Sequence, residues 1–66
     1  MPYVKVEITR DGTTQAQKEA LIQAITDALS DILGKDPEKT FVTIAEINLT
    51  DWGIGGQSIA ARRTPS

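Results

Sequence analysis

The sequence predicts an α+β fold, a β-α-β protomer with parallel strands and a C-terminal hairpin, on three observations. Apolar and polar residues alternate from Pro2 to Ile8, apolar residues recur at helical spacing from Leu21 to Leu33, and a second run rich in β-branched residues, Thr40 to Ile47, leads into a glycine-rich block. A strand, a helix and a strand in that order are expected to form a right-handed crossover with the two strands parallel.

In the first strand Pro2, Val4, Val6 and Ile8 share one face and Tyr3, Lys5 and Glu7 the other, because side chains alternate along a strand. Thr9 to Thr13 read as a loop, with Asp11-Gly12 supplying the turn and Arg10 just past the strand's end. Thr14-Gln15-Ala16-Gln17 has the form of a capping box, so a helix is expected over 15–33, roughly 28 Å long at ~1.5 Å per residue. Leu21, Ile22, Ile25, Ala28, Leu29, Ile32 and Leu33 form its apolar stripe, and Lys18, Glu19, Gln23, Asp27 and Asp31 its solvent side. Gly34 suits a left-handed position after the last turn, and Pro37 prevents continuation.

In the second strand Val42 and Ile44 face one way and Phe41, Ala45 and Ile47 the other. One helix covers only one of these apolar faces, which leaves the other for another subunit. Asn48 to Gly56 sets the only tryptophan beside three glycines, predicting a turn or short hairpin with Trp52 at its tip. A phosphate cradle is set aside, since no Lys-Ser/Thr pair and no helical pattern follows the glycines. Gln57 to Ser66 reads as a short ordered piece and a frayed tail.

A chain of 66 residues is expected to be a single domain, 1–66, that buries little core by itself. Without Cys or His it has neither disulfides nor the usual zinc and iron ligand sets, and no metal site is predicted. Oligomerisation is the remaining source of stability. Seven Lys and Arg against nine Asp and Glu, a net charge of -2, supply no basic field for nucleic acid. No apolar run is long enough to span a bilayer and no signal-peptide pattern opens the chain, so no membrane partner is expected and the location is cytoplasmic.

One position carries chemistry of its own. If the initiator methionine is removed, Pro2 becomes an N-terminal secondary amine able to take or release a proton near neutral pH, a general base. The alternative is that Pro2 merely starts an edge strand, where its missing N–H does no harm.

Met1-Pro2 on a short strand, a capped helix of this length, a second strand ending in Glu46-Ile47, and the block Trp52-Gly53-Ile54-Gly55-Gly56 together resemble the 4-oxalocrotonate tautomerase family, from Pro2 to about Arg63. The resemblance implies a protomer that pairs into a four-stranded sheet, three such dimers forming a homohexamer, or a heterohexamer if a second chain completes it. It implies an isomerase whose proline, here Pro2, moves a proton between oxygen and carbon of an enol or dienol acid, with a small carboxylate as substrate and no cofactor.

Trp52 stands where the family carries an aromatic residue of the pocket wall. The family's loop arginine lies next to a glycine; Arg10, ahead of Asp11-Gly12, is displaced from it by one residue and is its stand-in. A second family arginine, near the start of the second strand, corresponds to Phe41, which removes a clamp for dicarboxylates. Relatives that hydrolyse haloacrylates place a water-activating glutamate where this chain has Ile54, which argues against hydrolytic dehalogenation although the ending Arg62-Arg63-Thr64-Pro65 resembles one subunit of such an enzyme. Pro2 is thus the candidate catalytic residue, and Arg10, Phe41, Trp52, Ile54, Arg62 and Arg63 the candidate substrate-binding residues, with Arg10 ranked above the terminal pair. The competing expectation is a subunit or small-ligand binding module that keeps the fold without the activity.

Overall fold

The computed structural model describes residues 2–63. β1 (Tyr3–Thr9) is followed by α1 (Gln15–Leu33), β2 (Phe41–Ile47), the short strands β3 (Gly53–Ile54) and β4 (Gln57–Ser58), and α2 (Ile59–Arg63), with 3₁₀ turns at Pro37–Lys39 and Leu49–Asp51. Thr64, Pro65 and Ser66, on which the expected frayed tail falls, lie outside the described residues, as does Met1.

Both ends of α1 close as their sequence demands. The Thr14 hydroxyl accepts from the Gln17 N–H at 3.1 Å, and the Gln17 side chain accepts from the Thr14 N–H at 2.9 Å, satisfying two donors that a helix start otherwise leaves unmet. At the other end Gly34 adopts φ 68°, and the Lys35 N–H returns to the Leu29 carbonyl at 3.3 Å, the arrangement that favours glycine after a last turn. β2 starts at Phe41 rather than Thr40, whose hydroxyl instead donates to the Asp36 carbonyl at 2.9 Å and closes the preceding turn.

β1 and β2 pair in parallel, in register from Tyr3 beside Phe41 to Thr9 beside Ile47. Residues directly opposite share a face, so Val4, Val6 and Ile8 lie with Val42, Ile44 and Glu46, all half-buried. This is the helix side, since Glu46 reaches Lys18 of α1. The other side carries Tyr3, Lys5, Glu7 and Thr9 with Phe41, Thr43, Ala45 and Ile47. A Tyr3–Thr43 hydroxyl contact of 3.2 Å and a Lys5–Glu7 ion pair of 3.0 Å lie across it.

Two side-chain assignments are corrected. Lys18 is half-buried against the sheet rather than turned to solvent, because it occupies the same helical row as Ile22, Ile25 and Leu29 and finds a carboxylate there. The apolar stripe is covered only in its middle: Ile25 and Leu29 are half-buried, whereas Ile32 and Leu33 are 79% and 59% exposed, because α1 overhangs a sheet of only two strands.

Among the described residues none is fully buried, and no helix is long and apolar enough to cross a membrane. The radius of gyration is 15.5 Å, against roughly 11 Å for a compact domain of this length. A chain that buries so little of itself is expected to gain stability from contacts with other chains. Sedimentation at micromolar concentration is therefore expected to find an oligomer and no folded monomer; a folded, monomeric species would contradict it.

Candidate active site

Pro2 sits immediately before β1, half-buried, with its carbonyl accepting from the Phe41 N–H at 3.0 Å. That bond begins the parallel ladder one residue early and fixes Pro2 beside the start of β2. Tyr3 and Phe41, register partners that are 63% and 50% exposed, follow it on the uncovered face. Pro2 thus has a backbone fixed to β2.

Arg10 lies at the other end. Its N–H donates to the Ile47 carbonyl at 2.7 Å, so it prolongs β1 rather than beginning a loop. Eight residues of extended chain separate Pro2 from Arg10, roughly 26 Å at about 3.3 Å per residue. One protomer cannot fold both around one small molecule. The Arg10 guanidinium is held by the end of β2: Nη1 donates to Glu46 Oε2 at 2.8 Å, Nε to Asn48 Oδ1 at 2.9 Å, and Nη2 to the Glu46 carbonyl at 3.4 Å.

Trp52 follows the Leu49–Asp51 turn and accepts from the Ile59 N–H at 2.8 Å. It lines an open cavity of about 350 Å³ with Glu7, Ile47, Asp51 and Gly53, which puts it at the Arg10 end of the sheet and far from Pro2 of its own chain. Trp52 is not at the hairpin tip, as its glycine neighbours suggested. The tip is Gly55-Gly56, at φ 60° and 84°, because a two-residue turn with both φ values positive is the one that matches strand twist. Ile54, 52% exposed, pairs with Gln57 across that hairpin.

Arg62 and Arg63 occupy α2. The Arg62 side chain lies over the hairpin turn, with Nη1 only 3.4 Å from where a Cβ on Gly55 would stand. Arg63 pairs with Asp11 at 3.0 Å and ties α2 to the β1–α1 loop; both partners are exposed, so the pair contributes little to stability. Glu46, Lys18 and Asn48 form a charged cluster with Arg10 that was not among the expected site residues. The signal for it was an acidic residue on the inward face of β2, in the row of Val42 and Ile44, where a charge needs partners.

The model of the tautomerase enzyme family matches residues 2–62. This chain belongs to the 4-oxalocrotonate tautomerase family. A probable tautomerase of Dickeya dadantii (strain 3937) is 49% identical over 63 residues, covering 96% of this chain and 94% of the relative. TomN, a 4-oxalocrotonate tautomerase homologue of the tomaymycin biosynthetic pathway, is 33% identical and superposes with a TM-score of 0.88 over 98% of this chain and 100% of its own. A heterohexameric 4-oxalocrotonate tautomerase from Chloroflexus aurantiacus J-10-fl is 25% identical, with a TM-score of 0.84 over 96% and 100% of the two chains. Membership supports tautomerase, and so isomerase, activity.

Within this tautomerase chain Glu46 has the most distinctive electrostatics. The hydrogen bond from Lys18 Nζ, with the charges of Lys18 and Arg10 added, holds its carboxyl below the ordinary value of 4.5, against burial that pushes it up. A carboxyl whose folded value is lowered contributes stability that is present above the unfolded value and lost as pH falls through the folded one. Denaturant midpoints measured at fixed protein concentration, from about pH 6 down to about pH 3, are expected to fall below 4.5, and Glu46→Gln to flatten that limb. An unaltered limb in the variant would assign the acid sensitivity to other carboxylates.

Proposed function

We propose that this chain is a cofactor-independent tautomerase in which the Pro2 amine, freed by loss of Met1, is the general base for a 1,3-proton shift in a small 2-hydroxy-dienoate or 2-oxo acid. The observation that carries this reading is the setting of Pro2: half-buried, its carbonyl tied to Phe41, at the head of the paired strands, in a chain that belongs to a tautomerase family.

The amine takes the proton of the enol hydroxyl, the O–H electron pair becomes the carbonyl π bond, the carbon–carbon π bond breaks, and its electron pair takes the proton back from the ammonium to form the new C–H bond. No electron leaves the substrate and no atom is gained. A free α-amine titrates near ~7.7–8.0, and partial desolvation with a nearby cation lowers that value toward neutral pH, where a base works best. Arg10 holds the substrate carboxylate through its planar fork, Trp52 and Ile54 shield the site from water, and Arg62 adds cationic charge at its edge, whereas Arg63 is neutralised by Asp11. Phe41 beside Pro2 replaces a second cation with an apolar surface, which favours enols bearing one carboxylate over dicarboxylates.

The strand length between Pro2 and Arg10 requires that one protomer lend its base and a neighbour its arginine and tryptophan. The assembly is a homohexamer, a trimer of dimers in which the helix-free face of each sheet meets another copy; the related heterohexamer of Chloroflexus aurantiacus shows what a family member can build.

Four outcomes test this. Met1-free protein is expected to ketonise 2-hydroxymuconate or phenylenolpyruvate with an ascending pH limb in kcat/KM below the ordinary α-amine value. Protein retaining Met1 is expected to be nearly inactive although folded and assembled, since acylation removes the basicity of that nitrogen, and Pro2→Gly to be weaker than Pro2 because a primary amine lacks the ring's fixed orientation. Equal activity with and without Met1 would instead assign the chain to a binding module. Arg10→Ala is expected to raise KM for a carboxylated enol about tenfold or more, the loss of one charge-assisted contact, with Arg10→Lys recovering only part; unchanged kinetics would remove Arg10 from the site.

A further inference from the structure

The scheme above leaves one inward-facing charge without a task. The Glu46 side chain is only 10% exposed, and both of its oxygens are occupied: Oε2 by Arg10 Nη1 at 2.8 Å and Oε1 by Lys18 Nζ at 2.9 Å. An ionised carboxylate with both oxygens engaged has no proton to donate, so Glu46 is not a general acid. What it touches is the arginine. Together with Asn48 and its own carbonyl it receives three N–H bonds from the Arg10 side chain, while Ile47, between them, receives the Arg10 backbone N–H. Three consecutive residues at the end of β2 thereby fix the backbone and the guanidinium plane of a side chain that is still 59% exposed.

We propose that Glu46, seconded by Asn48, is the positioning residue that aims Arg10 at the substrate carboxylate, and that Lys18 is the counter-charge that keeps the cluster cationic. The proposal rests on the reading that Arg10 binds that carboxylate. A guanidinium has five N–H donors. Three are spent inside the cluster, and two remain, enough for one carboxylate. An Arg–Glu pair alone is neutral and a poor attractor of anions; Arg10 and Lys18 against Glu46 leave one net positive charge within the cluster. Lys18 can serve there because the capped first turn of α1 carries it onto the sheet side. Preorganisation of this kind improves binding by removing the entropy cost of ordering a long side chain at the moment of association.

The test uses the Met1-free, full-length protein. Glu46→Gln keeps the shape but removes the charge and one acceptor; it is expected to raise KM for 2-hydroxymuconate about tenfold with a much smaller change in kcat, and Glu46→Asp to recover part of the loss. Lys18→Met is expected to raise KM severalfold at low ionic strength, with the difference shrinking in about 0.5 M salt as screening sets in. In the Arg10→Ala background Glu46→Gln should add nothing further, since a positioning residue acts only through what it positions. Independently of activity, the Arg10 Nη–H resonances, assigned by their loss in Arg10→Lys, are expected to be resolved by hindered rotation in the unaltered protein, where Nη1 donates to Glu46 Oε2, and to average in Glu46→Gln. Equal penalties for Glu46→Gln with and without Arg10, or Nη–H resonances unchanged in Glu46→Gln, would overturn the proposal. If Glu46→Gln fails to assemble on sedimentation, Glu46→Asp carries the same comparisons. Inactivity of the unaltered protein would fault the tautomerase reading alone, and the Nη–H comparison would then decide for or against the clamp by itself.

Discussion

Because β1 and β2 pair in parallel, Tyr3 beside Phe41 and Thr9 beside Ile47, whatever lies at the head of the chain is separated from whatever lies at the strand's end by the full length of the sheet. Parallel pairing also requires a crossover, and α1 supplies it. The crossover covers the face of Val4, Val6, Val42 and Ile44 and leaves the face of Tyr3, Phe41, Ala45 and Ile47 bare. The half-built core and the divided site therefore share one origin. A two-stranded parallel unit with a single helix can neither bury both its faces nor bring its two ends together, and the proposed association with other copies would meet both needs.

Much of this architecture is legible in the sequence because its signals are local. The capping box of Thr14 and Gln17 and the stop at Gly34 bound α1 within the residues that make the bonds, and the period of two assigns both faces of β2 without reference to anything distant. Where the signal is long-range the sequence falls silent. Glu46 and Lys18 are 28 positions apart, and only the crossover brings them together; read along the helix, Lys18 differs from its solvent-facing neighbours in nothing but its row. Trp52 shows a different failure. The block Trp52-Gly53-Ile54-Gly55-Gly56 announces a turn, but which glycines form it depends on the pairing of Gly53 with Ser58, a tertiary fact.

The proposed site draws on residues that the sequence marks by kind more than by place. Pro2 could be singled out because only a terminal proline has a basic nitrogen, a matter of covalent chemistry. Arg10 could be named, yet its distance from Pro2 was already contained in the length of β1 and in the parallel register, and neither suggests a shared pocket within one chain. Arg63 is spent on Asp11, a surface pairing that no local pattern marks.

For the role proposed for Arg10, the displacement from a loop to the strand's end has a structural rationale. An arginine within a flexible loop relies on the loop for its aim. Here the residue sits one step earlier, where its backbone still joins the β ladder through Ile47, and its side chain is gripped by the residues on either side of that same carbonyl. The turn chemistry of Asp11-Gly12 is thereby freed from holding it. What the position loses in proximity to a glycine it regains in rigidity from β2. The accompanying cost, an acidic neighbour that neutralises the guanidinium, is offset by Lys18 arriving from α1, so strand, helix cap and charge balance at this end of the sheet depend on one another.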